Sequence, residues 1–306
     1  MSPSHAPSIV VVGSLNRDVV VTARALPKPG ETVLGADYSL HNGGKGANQA
    51  VALARLGQQV AMVGCVGKDE DGSALLESLE AEGVNVDSIS RSATHTGVAV
   101  ITVDAKGENS IVVVPGANGD LGGKAVDSSA STIAAADVVL AQLEVPIPTV
   151  ARAFDHATGT VVLNPAPAVT LSKELLEAVD YLVPNRTELA SLAGTEVPMT
   201  DERIVAAIES LEFAGVVVVT LGDEGALAVS RGAIVARATP PSVDVVDAVG
   251  AGDAFCAGLC DALSKNYPLQ RAVEWAVVCG ALATTRHGAQ PSMPSASAVD
   301  EAIARQ

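Results

Sequence analysis

The sequence predicts an α/β fold built on a mostly parallel sheet with helices on both faces. Three observations carry this. Short β-branched runs alternate with helical patterns along almost the whole chain. Hydrophobic residues make up 48% of the 306 positions, enough for one large core. No internal repeat, low-complexity segment or linker divides the chain, so residues 1–306 read as one domain.

Taken in order, SIVVVGS (8–14) reads as a buried strand and GANQAVALARLG (46–57) as a helix stopped by Gly57. QVAMVGCVG (59–67) is a strand, and DEDGSALLESLEAEG (69–83) a helix ending at Gly83. ADVVLAQ, TVVLNPAP, DYLVPN and GVVVVTLG are further short strands, with helical patterns over roughly 146–158, 171–178 and 201–213. Two regions break the rhythm. Residues 17–42 offer strand-like stretches around a Pro27-Lys28-Pro29-Gly30 turn but no helix, and 96–116 read as a hairpin around Ala105-Lys106-Gly107. These are either a small separate sheet, able to act as a lid, or edge strands of the main sheet; pattern alone supports both.

Composition narrows the function classes. A net charge of −16 argues against nucleic-acid and anionic-membrane binding, though not against a phosphate ligand held by backbone N–H groups and one or two cations. Cys65, Cys256, Cys260 and Cys279 form no CxxC pair. Cys256 and Cys260 share a helix face, but their small apolar neighbours favour buried thiols over half a metal site. Five scattered histidines (His5, His41, His95, His156 and His287) suggest no metal cluster. MSPSHAP lacks the features of a signal peptide, and the apolar stretch 272–284 is too short to span a bilayer and carries Glu274. A soluble protein of a reducing cytoplasm is expected.

The chemistry gathers in a few segments. In GSLNRD (13–18), Asn16 and Asp18 follow the first strand, where a parallel sheet places its ligands; an amide and a carboxylate there suit a polyol, or else an Asx-turn. HNGGKGANQA (41–50) opens a helix with glycines, a cation at Lys45 and an amide at Asn48, an arrangement suited to anions. It is neither a Walker A loop nor a dinucleotide fingerprint, since position 49 is Gln. In PNRTE (184–188), Asn185 and Glu188 suit the water ligands of Mg²⁺ beside phosphates, or equally a capping box. VTLGDEGA (219–226) places Thr220 and Gly222 in a turn for nucleotide phosphates or in an ordinary hairpin. In VVDAVGAGDAFCAGL (245–259), Gly250, Ala251 and Gly252 open a helix whose N–H groups form an anion hole, with Asp253 beside it as a base.

GGKGANQAVALARLG together with DAVGAGDAFCAG resembles the two signatures of the ribokinase-like (PfkB) sugar kinase family. GSLNRD, QLEVP, NPAPA, PNRTE, TLG and TTRHGAQPSMP follow in the family's order. GGKGANQA and GAQPS are most similar to its ribose-phosphorylating branch. The resemblance implies a Rossmann-like core with a β lid, and a homodimer through the lids. It implies ATP-dependent phosphorylation of D-ribose at O5, with Asp253 as general base. Asn16, Asp18, Gly44, Lys45, Asn48 and Glu144 match sugar positions. Asn185, Thr220, Gly222, Gly225 and Gly252 match nucleotide positions, and Glu188 the Mg²⁺/phosphate-sensitive carboxylate. Asp247, Val249, Ala283, Arg286, Gly288 and Ser292 match the loops of a K⁺ site. Ala248 stands where the family often has Thr, Val277 where relatives offer a polar adenine contact, and Arg17 adds a bulky cation expected at the sugar side. Rival readings are a kinase for deoxyribose or another sugar or nucleoside, a silent sugar sensor on the same fold, and an NAD-dependent oxidoreductase. The last is weakened by the missing GxGxxG.

Overall fold

A computed structural model describes residues 8–305. The reading of MSPSHAP, and His5 with it, lies outside the described residues. Thirteen strands are present among them: β1 (Ile9–Val12), β2 (Asn16–Ala23), β3 (Gly35–Gly43), β4 (Val60–Gly67), β5 (Ile89–Ser92), β6 (Gly97–Val103), β7 (Asn109–Val114), β8 (Val138–Ala141), β9 (Thr160–Leu163), β10 (Tyr181–Leu182), β11 (Val216–Thr220), β12 (Ala226–Ser230) and β13 (Ala233–Ala238). Nine of them form the main sheet in the order β13-β12-β11-β10-β9-β8-β1-β4-β5. From β11 to β5 every pairing is parallel; β12 and β13 close one edge as antiparallel strands.

Both faces of this sheet are covered, which is why its strands are apolar without alternation. Along β1, Ile9 and Val11 pack into one core cluster and Val10 and Val12 into the other. The first cluster includes the helices Lys45–Arg55, Ala251–Ser264 and Leu269–Ala283; the second includes Ile147–His156, Arg186–Ala193 and Asp201–Ser210. The apolar stretch 272–284 belongs to the buried helix Leu269–Ala283. No helix among the described residues is long and apolar enough to cross a membrane. With aromatics at only 2% of the chain, Val, Ala and Leu fill most of both layers.

The two regions without helical pattern resolve into a separate four-stranded sheet, ordered β3-β2-β6-β7. β2 and β6 run parallel, and the outer strands pair antiparallel to them. The turn after β6 is tied by Asp104, whose Oδ1 accepts the N–H groups of Lys106 at 2.8 Å and Glu108 at 3.0 Å. Only Gly13, Ser14 and Leu15 separate β1 from β2, so the small sheet rises directly from the carboxyl end of the central strand. There the main sheet also changes direction: the chain proceeds from β1 outward to β4 and β5, then returns to β8 on the other side. Such a reversal opens a crevice beyond the strand ends, and it sits beneath the small sheet.

Leu53 is fully buried on the helix that packs over this reversal. Leu53→Ala is expected to destabilise the protein by about 2–5 kcal/mol, and Leu53→Met by less than about 1.5 kcal/mol. Chemical-denaturation midpoints of the two variants check the order.

Candidate active site

The carboxyl end of β1 and the start of the Lys45–Arg55 helix are in backbone contact. A Cβ on Gly46 would lie 2.6 Å from the Ser14 nitrogen, so only glycine permits this approach. Ala47 N–H donates to the Ser14 carbonyl at 2.9 Å. The helix thus points its first turn, with Lys45 and Asn48, into the crevice.

From the other side the Ala251–Ser264 helix arrives with its own first turn. Gly250 caps it at φ +81°, a conformation suited to glycine. The N–H of Ala251 is engaged by the Ala248 carbonyl at 3.2 Å, whereas those of Gly252 and Asp253 have no backbone acceptor among the described residues. Within the anion hole expected at Gly250–Gly252, the Gly250 N–H likewise has no backbone acceptor among the described residues, so the tight turn engages only the middle donor. A Cβ on Gly252 would meet nothing within 4 Å, so there is open space beside that residue.

Asp253 is buried where the two helices meet. Its Oδ2 accepts from Asn48 Nδ2 at 2.9 Å and its Oδ1 from Gln49 Nε2 at 2.9 Å, joining segments some 200 residues apart in sequence. Burial raises the Asp253 carboxyl above its ordinary pKa; Lys45 and the two amides act in the opposite direction, while Glu144 adds to the rise. For the Lys45 ammonium, burial works against the charge, but Asp253, Glu144 and Glu188 more than compensate and its pKa lies above the ordinary value. The lysine is charged and stands among three carboxyls. Asn48 Oδ1 is buried with no partner, an acceptor open to a ligand hydroxyl.

The sugar-side positions converge on the same crevice. Asn16 is buried, its Oδ1 accepting from Asn118 Nδ2 at 2.8 Å, so its amide nitrogen is the free donor. Asp18 lies two residues along the same face of β2. A Cβ on Gly43 would fall 2.1 Å from its carboxylate, so the neighbouring strand must carry glycine there. Glu144, after β8, accepts from Ser14 Oγ at 2.5 Å and from the Lys45 N–H at 3.1 Å. Arg17 departs from expectation. Strand alternation turns it to the opposite face, where Nη1 donates to Asn42 at 2.6 Å and Nε lies 3.3 Å from Asp71. It is a strut between the small sheet and the Glu70–Ala81 helix, not a wall of the sugar pocket.

Nucleotide-side positions lie along the next strand ends. Asn185 and Thr220 form a bridge between the ends of β10 and β11. Asn185 and Glu188 make the capping box: Asn185 Oδ1 accepts from Glu188 N–H and Glu188 Oε2 from Asn185 N–H, both at 2.8 Å. The box does not exclude a second role, since Glu188 is also within the field of Lys45 and Asp253, and burial raises its pKa. Gly222 and Gly225 shape an ordinary hairpin between β11 and β12; beside Gly222 there is open space, whereas a Cβ on Gly225 would strike the Ala238 carbonyl. No group of three metal-ligating side chains occurs among the described residues. A divalent ion here would depend on phosphate and water, with Glu188 as the available carboxylate.

Behind the anion hole, Asp247 ties two loops together: Oδ1 accepts from Val249 N–H at 3.0 Å and Oδ2 from Gly288 N–H at 2.8 Å. Ser292 Oγ donates to the Ala289 carbonyl at 2.8 Å, which leaves its lone pairs free. The Asp247 N–H also donates to the Thr284 carbonyl at 3.1 Å, just past Ala283 at the end of the preceding helix, and Arg286 follows in the second loop. Oxygen donors of this kind fit a weakly hydrated monovalent ion. Cys256, Cys260 and Cys279 are core thiols, pushed well above their ordinary pKa by burial.

Four residues escaped the sequence reading: Gln49, Asn118, Gln142 and Asn164. All are buried amides at strand ends or first helical turns of the crevice. Position 49 drew notice only because it is not glycine. The available signal was a polar residue at the end of each apolar strand run, in NPAP and QLEVP above all.

Four carboxyls (Asp18, Glu144, Glu188 and Asp253), one ammonium and unpaired N–H donors can bind a polyol, remove a hydroxyl proton and stabilise a transferred anion. Asp18 carries a pKa of about 7 rather than 3.8, because of burial, then Glu144 and Asp253, with Arg17 opposing. The folded state therefore holds this proton more tightly than the unfolded chain, so protonation of Asp18 adds stability as pH falls from about 7 toward 4. Asp18→Asn is expected to raise the unfolding temperature at pH 8, with the gain fading toward pH 4. Thermal unfolding of both proteins across that range checks it.

The family model described as pfkB family carbohydrate kinase matches residues 6–296. The chain is 39% identical to the ribokinase of Schizosaccharomyces pombe, with 96% of each chain covered. It is 36% identical to the deoxyribokinase of Salmonella typhi, over 96% of this chain and 97% of the relative. The structure of Arabidopsis thaliana ribokinase complexed with ribose and ATP, 33% identical, matches with a TM-score of 0.88 over 98% of this chain and 99% of that one. The family model over residues 6–296 and relatives at 36–39% identity place this protein in the pfkB family of carbohydrate kinases.

Proposed function

We propose that this protein is a ribokinase, transferring the γ-phosphoryl group of ATP to the 5-hydroxyl of D-ribose. The observation that carries the reading is Asp253, buried at the first turn of the Ala251–Ser264 helix beside free N–H donors and held by Asn48 and Gln49. Asn16, Asp18, Glu144 and the unpartnered Asn48 Oδ1 hold the sugar hydroxyls. Asp253 accepts the O5 proton while O5 forms its bond to the γ-phosphorus. The bond from that phosphorus to the bridging oxygen breaks, and its electron pair leaves with ADP. In a loose transition state, placement of the base matters more than its strength. Lys45 and the N–H groups of Gly252 and Asp253 face the charge that spreads over the phosphoryl oxygens.

Asn185, Thr220, Gly222 and Gly225 lie on the nucleotide side. Mg²⁺ bound with ATP would supply charge neutralisation on the phosphates, with Glu188 holding one of its waters. A K⁺ ion would sit among the carboxylate of Asp247, the hydroxyl of Ser292 and the carbonyls of Val249, Ala283, Arg286 and Gly288. These loops lead directly into Gly250, so a bound ion would hold the anion hole in place. The four free, buried cysteines fit a reducing cytoplasm.

The small sheet acts as the lid of the crevice and as the surface of a homodimer. Its support is the exposure of Tyr38 and Leu40 on β3, Val100 on β6 and Val112 on β7, which the strand register places on one face of the small sheet, an apolar patch unusual for a monomer. The variant Val112→Glu is expected to shift the protein from dimer to monomer in sedimentation velocity.

A second sugar is favoured by the 36% identity to a deoxyribokinase. ADP release measured with D-ribose, 2-deoxyribose, fructose and adenosine, each with and without K⁺, decides between them. Highest kcat/KM on D-ribose, rising with K⁺, is the expected result; preference for 2-deoxyribose moves the substrate but keeps the chemistry. Asp253→Asn is expected to lower kcat by about 10²–10⁴-fold with ribose binding retained in calorimetry. Substantial turnover by this variant would falsify the role of the base.

A further inference from the structure

One buried chain of amides faces neither sugar nor phosphate, yet ends on Asp253. Asn164 Nδ2 donates to the Val183 carbonyl at 2.9 Å, and Asn164 Oδ1 accepts from Gln49 Nε2 at 3.3 Å. The same Gln49 nitrogen donates to Asp253 Oδ1 at 2.9 Å, and Gln49 Oε1 accepts from Gln142 Nε2. Gln49 and Gln142 are completely buried and Asn164 nearly so. Every polar atom of Gln49 is engaged.

The direction of this chain follows from its far end. A backbone carbonyl can only accept, so Asn164 turns its nitrogen to Val183 and its oxygen to Gln49. Gln49 must then turn its nitrogen outward, and Asp253 is left as the acceptor. Flipping the Gln49 amide would set its oxygen against two other acceptors and its nitrogen against the Gln142 donor.

We propose that Gln49 is a positioning residue that keeps Asp253 as an ionised, fixed acceptor, with its own orientation dictated by Asn164, Gln142 and the Val183 carbonyl. The proposal rests on reading Asp253 as the base. It assigns Asn48 and Gln49, consecutive on one helix, different duties: Asn48 also faces the crevice, whereas Gln49 acts only through Asp253. The amide donors oppose the burial that raises the proton affinity of this carboxyl.

The test is Gln49→Met, similar in length but without donor or acceptor. In the substrate-free protein labelled with ¹³C-aspartate, the Asp253 carboxyl signal, assigned by its loss in Asp253→Asn, should titrate at higher pH in the variant. The acidic limb of the kcat profile on D-ribose should move the same way. At neutral pH kcat should fall about ten- to hundredfold, the worth of one hydrogen bond to a charged group, with the KM for ribose unchanged. Asn164→Leu should shift the titration in the same direction and add nothing to Gln49→Met in the double variant. A folded Gln49→Met protein, by circular dichroism, whose carboxyl titration and acidic limb both match the wild type overturns the proposal. If that variant does not fold, an unshifted titration in Asn164→Leu overturns it. A shifted titration in a wild-type background without ribose turnover supports the positioning role and strikes instead at the proposed substrate.

Discussion

The two signature segments of this protein meet through one buried carboxylate gripped by two amides. Asp253 accepts from Asn48 and Gln49, and this contact fixes the angle at which the Lys45–Arg55 and Ala251–Ser264 helices face each other. Each helix brings its first turn to the same point, so their positive ends and Lys45 lie around a single crevice. A buried carboxylate is costly unless it is hydrogen-bonded and near a cation, and here both conditions are met by residues of one helical turn. The same groups that make the burial tolerable are those that aim the base.

The electrostatics of the site run against those of the whole. A chain with a net charge of −16 accommodates an anionic nucleotide because the local field is set by Lys45, the cradle at Gly252 and loops rich in backbone donors. Asp18, Glu144 and Asp253 crowd the sugar side, which raises the proton affinity of Asp18 and holds Lys45 charged. A polyol suits such a place: its hydroxyls donate to carboxylates without adding charge. The phosphate end of the crevice, by contrast, is lined with N–H groups.

Architecture places these fields. β2 leaves β1 after three residues and carries Asn16 and Asp18 out of the main sheet into the small one. Asn16 and Asp18 therefore ride on the small sheet, while Lys45, Asn48, Glu144 and Asp253 belong to the core. Arg17, facing the other way, ties β2 to the Glu70–Ala81 helix through Asp71.

The alternation of apolar runs and helical patterns determined the α/β class, because a strand buried on both faces and an amphipathic helix differ in period and composition. The glycine-flanked Lys45, Asn48 and Asp253 were legible for a similar local reason: a helix opened by glycines and carrying one charge has few structural purposes. Partnerships were not legible. The capping box at Asn185 and Glu188 has the same spacing whether or not Glu188 also faces the site, and residues 17–42 and 96–116 suited an edge strand as well as a separate sheet. Arg17 was misplaced, since its facing follows from the pairing of β2 with β3. Gln49, Asn118, Gln142 and Asn164 were invisible, because an amide carries no charge and its role lies in the direction of its dipole. That direction is set by groups 19 to 204 residues distant, and only the folded chain brings them within hydrogen-bond reach.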